Sequence, residues 1–482
     1  MDKLKVGLVS SSQLSFPGNK KAVFSSTSAK VGRLAQEWDF DLYVYPRDVI
    51  VAEDGYEAVK ALEDEKVDFV LLQCTSFSAG FLAPIFARTK NAFLGLWAIP
   101  EFAQEGAVPF NSFCSINMYS GIIGHYLNGY KVPLKWYFGD VEDPLFLERF
   151  RITIRAQKAI RQMKHAKIAL VGGIAPGFDD LYDDERNIIK LFDGIRINRL
   201  HEYGELRDLA LSIDQESVAE RVKLQLAEAK GINPKASGLM ELNARFAIAY
   251  ERFAAANGYD AIAISCWPKS TDEFKYSICA VVGELNDKGI VAACEGDLTS
   301  AISMLFLKYL AEDETMLMDM SAFDQNDDSI LLWHCGPAGK RFCEKSGFTL
   351  GLNYSGMPHD PNRTEPNGNG VTRDMVFDPG KVTIARLTGE SDTMFVAGGE
   401  ILDGTKKSFH GSRGWVGSLQ INRQPVSALN FINTVLVQRF QHHFPIVKGD
   451  YTKEVMEAMA WMGLKKIEIV PYEDFMQNPT IW

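Results

Sequence analysis

The stretch YDAIAISCW at residues 259–267 and the stretch GIVAACEGDLTSAISMLFLKYL at 289–310 decide how this chain folds. Each opens on a short apolar run of strand length. The second passes directly into Leu298–Leu310, a strongly apolar helical segment. Strands alternating with helices predict a parallel sheet, and consecutive parallel strands bring their C-terminal ends to one side of it. Ligands of open α/β sheets bind at those ends.

The same pattern extends in both directions. KIALVGG at 167–173 reads as a strand ending in a tight glycine turn. The following IAPGFDD does not complete GxGxxG, so no dinucleotide site is predicted. A strand near Ile195–Arg199 and helices near Glu216–Ala229 and Leu239–Asn257 complete a second α/β unit. Upstream, strands at Val6–Val9, Leu42–Tyr45, Phe69–Leu72 and Phe93–Trp97 alternate with helices near Ser28–Trp38 and Tyr56–Asp64. An amphipathic helix over Pro144–Lys164 bridges the two. Downstream, NYSGMPHDPNRTEPNGNGVTR at 353–373 reads as a long loop. Ile330–Trp333, Val382–Leu387, Thr393–Val396 and Trp415–Ile421 read as strands, with turns at Gly389, Gly398-Gly399 and Asp403-Gly404. A helix at Lys453–Met462 and a strand at Lys466–Val470 follow. The predicted architecture is two doubly wound parallel-sheet domains, 1–163 and 164–296, then a mostly β, barrel-like domain over 297–482 with a terminal α/β segment.

Composition narrows the function. The chain has 482 residues, 46% hydrophobic and 23% charged, an ordinary globular balance. Its net charge of 51 − 62 = −11 disfavours nucleic acid and anionic membranes as partners. No apolar run approaches about 18 residues. The Val6–Val9 run is too short for a signal-peptide core, and the seven scattered cysteines contain no CxxC pair, so a cytoplasmic protein is expected.

Two acidic groups follow the two deciding strands. Glu295 and Asp297 end the second; Asp272 and Glu273, in STDEF at 270–274, open a helix after the first. Asp297 is also a good N-cap for Leu298–Leu310, and acids at a helix start sit well with its dipole, so each acid has an ordinary explanation alone. Gln-His-His-Phe at 441–444 supplies His442 and His443. A histidine pair is more often a surface or hydrogen-bonded core feature, but with the carboxylates it makes a divalent-metal site. Oxygen-dominated ligation favours Mn²⁺ or Mg²⁺ over zinc. His334-Cys335 does not form a catalytic dyad, because neighbours on a strand face opposite ways. HGSRGW at 410–415, with Arg413 and Trp415, and Asn422-Arg423-Gln424 offer anion contacts, although a solvated loop is the commoner role.

The segment YDAIAISCWPKSTDEF…GIVAACEGDLTSAISMLF, 259–306, resembles the L-fucose isomerase / L-arabinose isomerase superfamily. QHHFPIVKGDYTKEVMEAMAWMGLKKIEIV at 441–470 resembles its C-terminal histidine segment, and PLKWYFGDVED at 133–143 and KIALVGGIAPG at 167–177 are weaker matches. The resemblance implies an aldose–ketose isomerase working through a cis-enediol. It implies metal ligands at Glu273, Asp297 and His443, with Glu295 as the arabinose-branch equivalent. Glu273 and Asp297 become the acid/base pair, the metal Mn²⁺, with Mg²⁺ or Co²⁺ as alternatives. Trp267, Glu295, His334, Arg413, Trp415 and His442 become the substrate contacts. It further implies a homo-oligomer, often a hexamer, whose active sites use a neighbour's first domain. The arabinose branch's further histidine has no counterpart near Ala322-Phe323, which favours a three-ligand site. The first domain lacks the fucose isomerases' substrate residues. The expected substrate is a deoxyhexose or pentose; a C6-sulfonated hexose, sulfoquinovose, is the alternative. A non-catalytic sugar sensor is the rival from another class.

Overall fold

The computed structural model describes residues 3–103, 105–127, 132–200, 203–267, 269–353 and 369–479. The side chains of Asp272 and Glu273 also lie outside the described ones. The chain separates into two compact units, 1–161 with 460–463, and 162–459 with 464–482.

In the first unit, β1 (Lys5–Ser11), β2 (Asp41–Val44), β3 (Phe69–Cys74), β4 (Phe93–Ala98) and β5 (Leu134–Phe138) form one sheet. Its order is β2-β1-β3-β4-β5, all parallel, so the doubly wound reading holds. β3 is buried along its whole length, which explains its unbroken apolar run. The helices are α1 (Lys20–Glu37), α2 (Ala52–Asp64), α3 (Leu82–Phe86) and α4 (Ser112–Tyr126), and α5 (Pro144–His165) carries the chain out of the unit. α1 and α2 start earlier than the apolar spacing predicts; Asn19 caps α1 by accepting the Ala22 N–H.

The second unit opens with another parallel sheet: β6 (Lys167–Val171), β7 (Arg196–Leu200), β8 (Ala261–Ile264) and β9 (Val291–Ala293), in the order β7-β6-β8-β9. Its helices are α6 (Glu185–Leu191), α7 (Gly204–Ser212), α8 (Gln215–Glu228), α9 (Met240–Asn257), α10 (Lys269–Phe274), α11 (Cys279–Asp287) and α12 (Leu298–Ala311). β8 and β9 are neighbours, so the two deciding strands do end side by side. Asp272 and Glu273 fall late in the short α10 instead of opening it, so the helix dipole does not account for them.

A ten-stranded sheet follows: β10 (Thr315–Asp324), β11 (Ser329–His334), β12 (Thr349–Leu352), β13 (Val371–Val376), β14 (Gly380–Leu387), β15 (Thr393–Ile401), β16 (Ser412–Ile421), β17 (Gln424–Pro425), β18 (His443–Lys448) and β19 (Lys465–Lys466). α13 (Ala428–Val437) and α14 (Thr452–Met462) lie between its last strands. The path β16-β11-β10-β18-β14-β15 closes through a β15–β16 pairing into a barrel. Its interior is apolar, with Met316, Met318, Ile384, Phe395, Val416, Phe444 and Ile446 buried.

Three local expectations change. Gly398-Gly399 is not a turn: it lies inside β15 at a register shift against β16, where a Cβ on Gly399 would press into Val416 and the Gly417 carbonyl. The terminal strand is only Lys465–Lys466; Ile467 and Val470 are buried without joining the ladder. The expected 353–373 loop lies outside the described residues over 354–368, and its end is already β13. Among the described residues, no helix is long and apolar enough to cross a membrane.

Candidate active site

The site begins where β9 ends. Glu295 and Gly296 both take left-handed backbone conformations, φ 64° and 71°. For a glutamate this is uncommon and unfavourable. The turn is pinned: Glu295 O accepts the Ala175 N–H at 3.1 Å, and Gly296 N donates to Ile264 O at 3.0 Å. A Cβ on Gly296 would run into the Gly173 carbonyl, so only glycine fits. The pinned turn directs the Glu295 carboxylate towards β18.

His443 opens β18 and is fully buried. Its Nδ1 lies 2.9 Å from Asp297 Oδ2, and its Nε2 lies 3.0 Å from Glu295 Oε2 and 3.6 Å from Asp319 Oδ1. Asp319 is its direct cross-strand partner in the antiparallel β10–β18 pair, which puts both side chains on one face. Burial disfavours the charged His443 ring, but Asp297 and Glu295 outweigh it and hold the ring up to about 10. Asp297 itself is kept well below the usual carboxylate range: Arg386 and His443 overcome its burial. Glu295 is likewise depressed, by His442 and His443 against burial.

Asp297 differs from its expected role. It does cap α12, accepting the Ser300 N–H at 2.8 Å, and also accepts from Ser300 Oγ at 2.7 Å and Thr299 Oγ1 at 3.0 Å. Arg386, fully buried on β14, donates to it at 2.7 Å. With His443 Nδ1–H as the last donor, both oxygens are saturated. Asp297 therefore stands behind the imidazole and does not reach the point its Nε2 faces.

His442 repeats the arrangement. Its Nδ1 is 2.8 Å from Asp180 Oδ2, which also accepts the His442 backbone N–H at 3.1 Å, and its Nε2 is 3.7 Å from Glu295. A carboxylate on Nδ1 fixes the tautomer with a lone pair on Nε2, the usual support for a metal-ligating histidine. His334 has the opposite polarity. Its Nδ1 accepts the Cys335 backbone N–H at 2.9 Å, which places the ring proton on Nε2.

Glu295–His442–His443 and Asp319–His334–His443 are each groups whose donor atoms fall within 4.8 Å of one another. Asp319 Oδ1 and His334 Nε2 are buried and have no hydrogen-bond partner. Such atoms are costly unless they meet a ligand. Two carboxylate-backed imidazoles and the partly buried Glu295 carboxylate fit a divalent cation. His334, from β11, adds a third imidazole beside the cluster, with its Nε2–H facing Asp319 and His443.

Curated relatives share this chain's length. Sulfoquinovose isomerase from Priestia megaterium (strain ATCC 12872 / QMB1551) is 23% identical over 428 residues, 88% of this chain and 90% of its own. Sulfoquinovose isomerase from Alkalicoccus urumqiensis is 24% identical over 428 residues, 88% and 91% respectively. The chain is similar to sugar isomerases. No protein-family model matches it. Among solved structures, a periplasmic solute-binding protein from Actinobacillus succinogenes 130z with bound D-allose is 15% identical, covering 65% of this chain and 93% of its own. Its TM-score to this chain is 0.17.

The remaining expected residues divide. Trp267 follows β8 and packs its ring 5.8 Å from Phe178, itself 5.4 Å from the His442 ring. Trp267, Phe178, Cys335 and Glu295 line a cavity of about 220 Å³. Arg413 is not brought there: it is committed to Asp374 and to the Gly411 carbonyl. Trp415 donates to Lys407 O at 3.1 Å beneath the Lys406 ammonium. Arg423 donates to Thr452 Oγ1 at 2.7 Å. Glu273 sits on α10 by its backbone, with its side chain outside the described ones. Sequence reasoning missed Asp180, Asp319 and Arg386. The available signal was a charge interrupting an apolar strand, as in TMLMDMSAFD (315–324) and VTIARL (382–387).

Proposed function

We propose that this chain is a metal-dependent aldose–ketose isomerase that converts sulfoquinovose to its 2-ketose, sulfofructose, through a cis-enediol. The observation that carries the proposal is the convergence of Glu295 with two imidazoles, His442 and His443, each backed by a carboxylate on Nδ1. Similarity to sulfoquinovose isomerases over 88% of the chain supports the reaction class and favours the sulfonated sugar over a deoxyhexose or pentose.

Glu295, His442 and His443 would hold the cation, Mn²⁺ with Mg²⁺ or Co²⁺ as alternatives, which when bound supplies Lewis-acid polarisation of the sugar's carbonyl and hydroxyl. Asp297 is a positioning residue, holding His443 Nδ1–H and with it the ring. Asp319 Oδ1, buried and unpartnered beside the cluster, is placed to take the C2 proton and return it at C1. Glu273 keeps the acid/base role its resemblance assigns. His334 Nε2–H is suited to donate to a sugar oxygen, and the Trp267–Phe178 surface to pack against the sugar's C–H face.

Incubation with sulfoquinovose and Mn²⁺, followed by NMR, should show conversion to the ketose, loss of turnover in EDTA and recovery on adding Mn²⁺. Full turnover in excess EDTA would overturn the metal role. Faster turnover of fucose or arabinose would overturn the substrate. A pH signature also follows. Held up to about 10, the metal-free His443 ring is charged at pH 7 and must lose its Nε2 proton to bind a cation. The His442 ring is also held above its ordinary value, so Mn²⁺ uptake near pH 7 should release at least one proton, and its affinity should rise with pH, by roughly tenfold per unit or more, until about pH 10. Calorimetry in buffers of different ionisation enthalpy measures the release.

A further inference from the structure

Four of the chain's seven cysteines surround the candidate active site, and the proposed isomerisation uses none of them. Cys266 and Cys294 follow β8 and β9, and Cys294 directly precedes Glu295. Cys279 is the first residue of α11, and Cys335 directly follows His334 at the end of β11. Cys266, Cys279 and Cys335 line the cavity of about 220 Å³ together with Trp267, Phe178 and Glu295.

Cys279 and Cys335, 56 positions apart, bring their sulfurs to 3.3 Å. A disulfide is about 2.05 Å long, so forming one here closes a gap of roughly 1.2 Å. Each thiol is held by its own element. Asn353 Nδ2 donates to Cys279 Sγ at 3.2 Å. Gly336, next to Cys335, has φ 123°, and a Cβ there would strike Thr372 and the Arg373 nitrogen, so the turn that aims Cys335 admits only glycine. Cys279 is buried, whereas Cys335 is half-buried on the cavity wall, so a small oxidant reaches Cys335 first. Cys294, which hydrogen-bonds Cys266, is fully buried and offers no such access. The Cys279 contact and burial hold the Cys335 thiol well above its ordinary value, so the pair reacts with sustained oxidant and resists a passing exposure. His334 ties the pair to the site. Its Nδ1 lies 3.2 Å from Cys335 Sγ and accepts the Cys335 backbone N–H, and its Nε2–H faces Asp319 and His443.

We propose that Cys279 and Cys335 form a reversible disulfide on exposure to hydrogen peroxide, and that this bond lowers turnover by drawing Cys335 away from His334. The Cys335 sulfur attacks one peroxide oxygen; the O–O bond breaks, the sulfur becomes a sulfenic acid, and the departing hydroxide leaves as water with the thiol proton. The Cys279 sulfur then attacks the sulfenic sulfur, the S–O bond breaks, and a second water leaves with the Cys279 proton. Two thiols together lose two electrons, and peroxide is reduced to two waters. A dithiol reductant restores both thiols by exchange. The bond itself is independent of the function proposed above; its effect on turnover rests on that reading.

Peroxide treatment of the full chain, followed by alkylation and mass spectrometry of the non-reduced digest, is the test. A crosslink between the peptides that hold Cys279 and Cys335 is expected, absent in Cys279→Ser and lost on adding dithiothreitol. Sulfoquinovose turnover should fall by roughly tenfold or more in crosslinked protein, the scale of a misplacement of about 1 Å beside reacting groups, and return with dithiothreitol. The reversible loss should track the crosslink yield and be absent in Cys335→Ser, measured against its own untreated sample. Oxidation of Cys335 to a sulfenic or higher acid without the crosslink, or no reaction of either thiol, overturns the disulfide. Full turnover in crosslinked protein overturns its regulatory effect. A chain that crosslinks but isomerises no sugar upholds the bond and sinks the isomerase reading instead.

Discussion

His443→Gln should abolish Mn²⁺ binding and lower sulfoquinovose turnover by about 10³-fold or more, because several kcal/mol of Lewis-acid stabilisation is lost with the ion. The fold should survive. β18 keeps its ladder with β10 and β14, and the Asp297 charge keeps its buried partner Arg386. What glutamine cannot do is hold one donor on Asp297 and present a second, imidazole nitrogen beside Glu295 at the same time. Metal content and NMR turnover read the two effects separately. His442→Gln should be milder, because its ring is partly exposed and its contact with Glu295 is longer. Wild-type metal content in His443→Gln would remove this histidine from the site.

Arg386→Met should destabilise the protein by roughly 3–5 kcal/mol, the cost of leaving one partner of a buried ion pair uncompensated. Arg386 and Asp297 are both fully buried, and the arginine also bonds Gln441 Oε1 at 3.2 Å, Thr299 Oγ1 at 3.1 Å and the His443 carbonyl at 3.2 Å. Methionine fills the stem's volume but leaves the Asp297 charge facing His443 alone. The double variant Arg386→Met/Asp297→Asn should recover much of the stability and little of the activity, since neutral asparagine no longer steadies the imidazole as a carboxylate does. Denaturant midpoints and turnover should therefore diverge. Equal losses of stability in the single and double variants would mean that the charge pair is not what the core depends on.

The fold was legible wherever local pattern and environment agree. β3 and β9 are buried on both faces, and their apolar runs say so. Gly398-Gly399 misleads because the same residues serve a turn or a bulge, and only the β15–β16 pairing decides. The site divides in the same way. Glu295, His442 and His443 were visible because charged groups at strand ends are conspicuous. Asp319 was not, because it becomes a site residue only through its register opposite His443, 124 positions away (443 − 319). Asp297 was placed on the ion because E-x-D offers two acids two residues apart. The left-handed turn at Glu295–Gly296 sends them to opposite sides of one imidazole, and the buried Arg386 claims the second.

The proposed chemistry depends on a cation held by Glu295, His442 and His443. Crystals grown with Mn²⁺ and measured at its absorption edge locate it directly. The expected anomalous peak lies about 2.0–2.3 Å from His443 Nε2 and from a Glu295 carboxylate oxygen, with His442 Nε2 closing in and Asp297 remaining on Nδ1. A peak bonded to Asp297 instead, or no peak at the cluster in protein that turns over sugar, would contradict it.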